Sequence, residues 1–470
     1  MILAAAALIS AAAAAAPAAP PGTTPAFFAG HRDAFFAKLP AGAIAVFHSA
    51  PETNVDAVTD PYRQSSDFWY LTGWEEPDAI AVLLPGEGGK RRFLLFVRPR
   101  DFAAEQWTGW RAGVEGARTD YGAEAYPIGD FWSRFPTLSA TAQILYYGSG
   151  RDDAFQAKLL QAWSAGNANA TAPRPAADAE PVLGQMRLIK DPIEQKLLRE
   201  ACHISADAHV AAMAQVAPGR NERDLKAAMV GLCLSRGAAR MAYPPIVGSG
   251  RNGVILHYVR DDEPLEDGEI IVNDTGCEYR MYAADVTRSY PVSGKFSAEQ
   301  RRIYEIVLAA QNAGFAKVRP GVAFHEVHDA TVGAIVDGLL GLGILSGDRA
   351  EILRTRAYQK FYPHGSSHWL GLNVHDAGSY EYPAGVERLE RYGKAQTKLV
   401  PGMALTVEPG IYIPEKSTAD PRWWNIGIRI EDDVLVTEAG MECLSCGAPR
   451  ELADVERSVA AAQAKRAARR

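Results

Sequence analysis

The chain has 470 residues, more than one hydrophobic core usually serves, so two folded domains are expected. Hydrophobic residues make up 47% and charged residues 22%, which excludes a chain too polar to fold. A net charge of −7, with no basic stripe except the terminal AKRAARR, argues against a nucleic-acid partner; residues 461–470 read as a solvated basic tail.

Residues 1–19 are apolar and Ala-rich, a Pro-rich stretch follows, and Arg32 is the first basic residue. This pattern predicts a secretory signal peptide within residues 1–26, cleaved near Ala16 or Ala19, and hence a periplasmic or secreted protein, although a basic n-region is missing. The alternative is an Ala/Pro extension on a cytoplasmic protein. The stretch is too short and Ala-rich for a membrane span, so no stable membrane insertion is expected.

Next, AIAVLLPG and RRFLLFVRP read as strands ended by Pro and Gly and alternating with helical stretches, which predicts an α/β domain over 27–165. NANATAPRPAADAEP is low in complexity and lacks large apolar residues, as a linker over 166–181 would. A second domain is expected over 182–460. Its start is well signalled: Asp191 as N-cap, Pro192 at the first helical position and Glu194 at the third. A further helix is expected over 221–236, closed by Gly237. Short strands follow around 269–272, 287–291, 403–407 and 427–436, making this domain α+β. Of the five cysteines, Cys443 and Cys446 form a lone C-x-x-C without a zinc-site or thioredoxin-like context; a disulfide is open to them if the chain is exported.

Strand alternation places Asp274 of EIIVNDTG on the same face as Ile270 and Val272. Asp285 stands in YAADVTRSY, Glu408 beside Pro409 in TVEPGIYI, and Arg429 and Glu431 lie two apart in GIRIED. Each aspartate alone has an ordinary explanation, a turn cap or a pair with Arg288. Together the four carboxylates are costly to bury, at several kcal/mol for each unpaired charge, and their convergence calls for two divalent cations. HGSSHWLGLNVHD adds His364, His368 and His375. The four-residue spacing is that of helical H-E-x-x-H zinc sites, but Gly365 replaces the glutamate and the glycines oppose a helix. A mostly oxygen donor set with one imidazole is hard and suits Mn2+, with Zn2+ or Co2+ as alternatives, and a two-metal site predicts hydrolysis.

With these residues in view, the sequence resembles the pita-bread metallopeptidases, and within them the bacterial Xaa-Pro aminopeptidases. The resemblance is carried by DFWYLTGWEEPDA, MRLIKDPIEQKLLREA, IVGSGRNGVILHY, DTGCEYRMYAADVTRSYPVSGKF, HGSSHWLGLNVHD, LTVEPGIYI and GIRIEDDVLVT, in the family's order. It implies a creatinase/prolidase-type α/β N-terminal domain ahead of a pita-bread catalytic domain. It also implies that Asp285 and Glu431 bridge two metals, Asp274 chelates one, and His368 and Glu408 hold the other. By the same resemblance a hydroxide held between the metals attacks the peptide carbonyl, Glu408 shuttles the proton, His257 and His375 position substrate, and His364 and Arg429 support them. The implied substrates are peptides with N-terminal Xaa-Pro, and the implied assembly is a homo-oligomer, dimer or tetramer. Trp107 resembles a tryptophan that reaches a neighbour's active site in oligomeric members; the alternative is a buried structural Trp. Asn273, Thr275 and Met281 depart from the family's usual residues without removing a ligand. Prolidase, acting on dipeptides, is the nearest alternative, and a non-catalytic peptide-binding pita-bread module is the alternative of another class.

Overall fold

The structure, a computed structural model, describes residues 22–52, 62–86, 91–149, 152–166, 174–380 and 397–467. The expected signal segment therefore lies largely outside the described residues. Its last part does not: Thr24 caps helix α1 (Pro25–Lys38), so residues 24–26 belong to the first folded element. The chain divides into two compact units, which meet between Ala179 and Glu180.

The first unit is built on a mixed six-stranded sheet of β1 (Ala43–His48), β2 (Ile80–Pro85), β3 (Arg91–Val97), β4 (Glu124–Pro127), β5 (Ile144–Tyr147) and β6 (Ala176–Asp178), in the order β4-β3-β2-β1-β5-β6. β2 pairs antiparallel with β1 and β3, while the outer strands pair parallel. The apolar run of β2 is buried along nearly its whole length because both faces of the sheet are covered. α2 (Ser66–Thr72), α3 (Phe102–Thr108), α4 (Gly113–Thr119), α5 (Phe131–Leu138) and α6 (Asp153–Ala165) complete the unit, with Phe131, Phe135, Leu159 and Trp163 packed against Val46, Val82 and Phe96. The segment expected to be a linker differs: its residues 176–178 form the edge strand β6. An edge strand joins by backbone hydrogen bonds alone and needs no large side chain, so its composition hid it.

The second unit opens with α7 (Glu180–Arg187) and α8 (Pro192–Met213). Asp191 accepts from the amides of Ile193 and Glu194 at 2.7 and 2.9 Å, and Glu194 accepts from the Asp191 amide at 2.9 Å, the reciprocal cap that the sequence signals. α9 (Glu222–Ser235) follows and ends at Gly237, whose φ of 89° is left-handed. Four small antiparallel sheets come next. β7 (Arg240–Met241) pairs with β10 (Cys277–Tyr279) and β10 with β11 (Tyr282–Ala283); β8 (Ile246–Ser249) pairs with β9 (Ile270–Asp274) and β9 with β12 (Thr287–Pro291). β13 (Ala404–Val407) pairs with β16 (Asp432–Thr437), β16 with β17 (Gly440–Cys443), and β14 (Gly410–Ile413) with β15 (Ile426–Arg429). α8, α9, α10 (Ala298–Phe315) and α11 (Phe324–Gly341) lay an apolar face on these strands: Ala208, Met229, Val307 and Ile335 share one core with Ile270, Tyr290, Ile411 and Ile428.

Two expectations are corrected here. Residues 427–436 are two strands, β15 and β16, because the chain passes from one sheet to another at Ile430 and Glu431; the Glu431 amide donates instead to the Thr287 carbonyl at 3.1 Å. The basic tail does not begin at 461, since α12 (Leu452–Ala467) runs through it, with Val455 and Val459 in the core. Cys443 and Cys446 form a disulfide. Among the described residues no helix is long and apolar enough to cross a membrane.

Candidate active site

Asp274 closes β9 and Asp285 precedes β12, and the hairpin between them brings the two side chains together. The turn is tight at its base: a Cβ at Gly276 would overlap the Ala284 carbonyl, so only glycine fits. At its tip, Arg280 and Met281 both take positive φ, 51° and 74°, in a two-residue connection between β10 and β11. A left-handed Met costs about 1–2 kcal/mol, which burial of its side chain, worth about 1.5–3 kcal/mol, offsets. The Tyr243 hydroxyl lies 2.6 Å from Oδ1 of Asp274 and 2.6 Å from Oδ1 of Asp285, spanning the pair.

Arg429, at the end of β15, faces the same place. Its Nη2 donates to Asp274 Oδ2 at 2.6 Å, its Nε to Thr287 Oγ1 at 3.0 Å and its Nη1 to Tyr412 Oη at 2.8 Å. Thr287 Oγ1 donates in turn to Glu431 Oε2 at 2.6 Å. Arg429 and Glu431 therefore meet on one hydroxyl, as their spacing of two residues requires. Arg288, the next residue of β12, points the opposite way and pairs with buried Asp432 at 2.6 Å, so the alternative of Arg288 as partner of Asp274 or Asp285 does not hold.

The histidines arrive on an irregular segment, as the glycines of HGSSHWLG indicate. His368 Nδ1–H donates to the Trp369 carbonyl at 3.1 Å, which turns Nε2 toward Asp285 Oδ2 at 3.3 Å and Glu408 Oε1 at 3.8 Å; without a cation Nε2 holds a proton toward these carboxylates, and it would offer its lone pair to a cation in that proton's place. Glu408 follows β13 and its amide donates to the Ser366 carbonyl at 2.9 Å, fixing it beside His368. His364 Nδ1–H donates to the Gly365 carbonyl at 2.7 Å, so Nε2 accepts from the Tyr412 hydroxyl at 2.9 Å, and Nδ1 lies 3.4 Å from Glu408 Oε2. His375 stacks on His368 with ring centroids 3.9 Å apart and is solvent-exposed, and so is His257, in the turn after β8. The segment is tied down at its far end by buried Asp376, which pairs with buried Arg187 and with Lys190 Nζ at 3.1 Å.

So many buried carboxylates disfavour ionisation. Burial raises Glu408 to about 8, the charge of His368 opposing and that of Asp285 adding. Glu431 is pushed well above the usual range by burial and by Asp285, and Asp274 is raised by burial despite Arg429. Burial would lower His368, but the hydrogen bond to Asp285 and the charges of Glu408 and Asp285 lift it to about 9. One ligand atom each of Asp285, His368 and Glu431 lies within 4.8 Å of the others. An anionic, oxygen-rich cluster with one imidazole nitrogen turned into it fits divalent cations, whose charge would relieve this crowding.

Residues 196–438 match the model of metallopeptidase family M24, more than half of the chain, and 28–146 match the aminopeptidase P N-terminal domain. The chain belongs to metallopeptidase family M24. Among its M24 relatives, the Xaa-Pro aminopeptidase of Escherichia coli K12 is 38% identical over 93% of this chain and 98% of its own length, and that of Haemophilus influenzae is 38% identical over 91% and 96%. The structure of Pseudomonas aeruginosa aminopeptidase PepP aligns with a TM-score of 0.87 at 41% identity, covering 94% of this chain and 99% of its own. E. coli aminopeptidase P with the inhibitor Pro-Leu aligns with the same score at 37% identity and the same coverage. The second unit is accordingly the pita-bread catalytic domain of an M24 hydrolase.

The M24 unit thus gathers all five expected ligands, with His364, Arg429 and Tyr412 around them. Trp107 lies in the other unit and is 88% exposed, so it is not a buried structural residue of its own chain. Sequence reasoning missed Tyr243, Thr287, Tyr412 and Asp376. Thr287, Tyr412 and Asp376 stand in segments already singled out, in YAADVTRSY, TVEPGIYI and HGSSHWLGLNVHD, whereas Tyr243 carried no signal.

Proposed function

We propose that this chain is a dinuclear-metal aminopeptidase that releases the N-terminal residue from peptides with proline second. The observation that carries the reading is the convergence of Asp274, Asp285, His368, Glu408 and Glu431 in a chain whose relatives, matched almost end to end, are Xaa-Pro aminopeptidases. Asp285 and Glu431 would be shared between two cations, with Asp274 on one side and His368 and Glu408 on the other. When bound, the cations supply Lewis-acid polarisation and a nucleophile at neutral pH. The hard donor set favours manganese.

The chain's own groups do the rest. Glu408, whose carboxylate lies beside His368 and His364, is placed to serve as the proton carrier from the attacking water to the departing amine. The hydrogen-bonded series from Arg429 to Tyr412 to His364 fixes the imidazole beside Glu408. His257 and His375, exposed at the rim, are placed to donate N–H to substrate oxygen, where negative charge develops. Recognition of proline rests on ring shape and on a tertiary amide that offers no N–H.

The exposed aromatics Phe102, Trp107 and Trp110 support a homo-oligomer, and the Cys443–Cys446 disulfide supports export to an oxidising compartment. The test of the main reading is cleavage of Ala-Pro-Ala beside Ala-Pro, with metal content of the purified protein. Release of alanine from the tripeptide, none from an N-blocked one, and about two manganese-class ions per chain are expected. Efficient cleavage of Ala-Pro with Ala-Pro-Ala untouched would make it a prolidase.

A further inference from the structure

α8 lies against the hairpin of Asp274 and Asp285 and presents Ser205 and His209 to it one turn apart. Ser205 Oγ accepts from the Cys277 amide at 3.0 Å. His209 Nε2 lies 3.1 Å from the Thr275 carbonyl and 2.9 Å from the Val286 carbonyl. Both partners are acceptors, so Nε2 carries the hydrogen, and one N–H is shared between two backbone oxygens. These are not arbitrary oxygens: Thr275 directly follows Asp274, and Val286 directly follows Asp285. The Thr275 amide also donates to the Val286 carbonyl at 2.9 Å, so the three groups form a closed triangle at the point where the two aspartates diverge.

Packing alone does not account for an imidazole here. His209 is wholly buried, and its Nδ1 has no hydrogen-bond partner among the described residues, a cost that a leucine or phenylalanine would avoid. The ring is neutral, since burial and the nearby Arg288 hold it down to about 3. On the opposite side, the Asp285 amide donates to Asp433 Oδ2 at 2.9 Å, so the backbone of this aspartate is gripped from two directions. We propose that His209 is a positioning residue: by bridging the carbonyls that follow Asp274 and Asp285, it sets the separation of these two carboxylates and thereby the geometry offered to the cations. This rests on the reading of the pair as cation ligands. Such sites require placement to within about 0.5 Å, and the shared N–H adds a second tie to the Thr275–Val286 hydrogen bond that closes the hairpin base.

The test compares His209→Leu, which removes the N–H, with His209→Gln, whose amide N–H reaches the same place. Manganese affinity of the metal-stripped full-length protein is measured by calorimetry well below the unfolding midpoint, alongside kcat and KM on Ala-Pro-Ala. His209→Leu is expected to bind manganese on the order of tenfold more weakly, with kcat reduced and KM within about twofold of wild type. His209→Gln is expected to recover most of both losses. If His209→Leu does not fold, His209→Phe takes its place in the same comparison. A folded apolar variant with wild-type manganese affinity overturns the inference, and so does a loss that glutamine fails to recover. Failure of the wild type itself to bind divalent cations would instead overturn the functional reading on which the inference stands.

Discussion

Lys190 Nζ lies 3.1 Å from Asp376 Oδ2 across 186 residues of sequence, and both side chains are buried. With Arg187 on the other carboxylate oxygen, one aspartate is shared by two buried cations and pins the histidine-bearing segment to the start of the catalytic unit. Removing the anion takes away the negative charge that both buried cations share, so Asp376→Asn is expected to destabilise by about 3–5 kcal/mol. Urea unfolding measures it. A loss below about 1 kcal/mol would mean the cluster is dispensable.

Asp285 touches Tyr243 and His368 and lies within reach of Glu431. Asp285→Ala should therefore lose most bound metal, whereas Asp274→Ala should retain part of it. Metal content by mass spectrometry after gel filtration decides; full retention in Asp285→Ala would refute its bridging position.

Glu408→Gln preserves shape and removes the proton carrier. Turnover on Ala-Pro-Ala is expected to fall about 10²–10⁴-fold, with the unfolding midpoint little changed. Near-wild-type kcat would place the base elsewhere.

In the metal-stripped protein, Glu408 sits at about 8 against an ordinary 4.5, and His368 at about 9 against 6.5. Both are raised, so between these values the folded state holds more protons than the unfolded chain. Stability must then fall as pH rises from about 5 to about 9: the His368 contribution is complete below 6.5 and lost through 9, while Glu408 becomes a growing penalty up to 8. Cation binding displaces those protons and should flatten or reverse the slope. Thermal midpoints across this range, with chelator and with saturating manganese, test both signs. A midpoint that rises with pH in chelator would contradict the arrangement.

What the sequence made legible was local. The N-cap at Asp191, the helix start at 221, the closing Gly237 and the alternation that turns Asp274 inward all lie within a few residues of their cause. Four of the five expected ligands were legible for another reason, since carboxylates in strand contexts violate ordinary burial; His368 was set apart from His364 and His375 by the family resemblance. Hidden were the groups whose roles come from pairing across the fold. Tyr243 looks like any loop tyrosine until β9 and β12 bring two aspartates to its hydroxyl. Thr287 is an ordinary strand threonine until Arg429 and Glu431 arrive from 142 and 144 residues away. The break between β15 and β16 was equally hidden, because each half of 427–436 is a good strand and only the change of partner divides them.

These distances along the chain also govern when the site can exist. Arg429 and Asp274 are 155 residues apart in sequence, and Asp285 and Asp433 are 148 apart. Contacts of such long range carry the largest loop-closure cost and form late. During synthesis Asp274 and Asp285 emerge well before Glu408 and Glu431, so an incomplete chain holds a fragment of the donor set and no fitted cation. Uptake of the divalent cations that the family implies would therefore wait on the meeting of these distant segments, as a late event of folding.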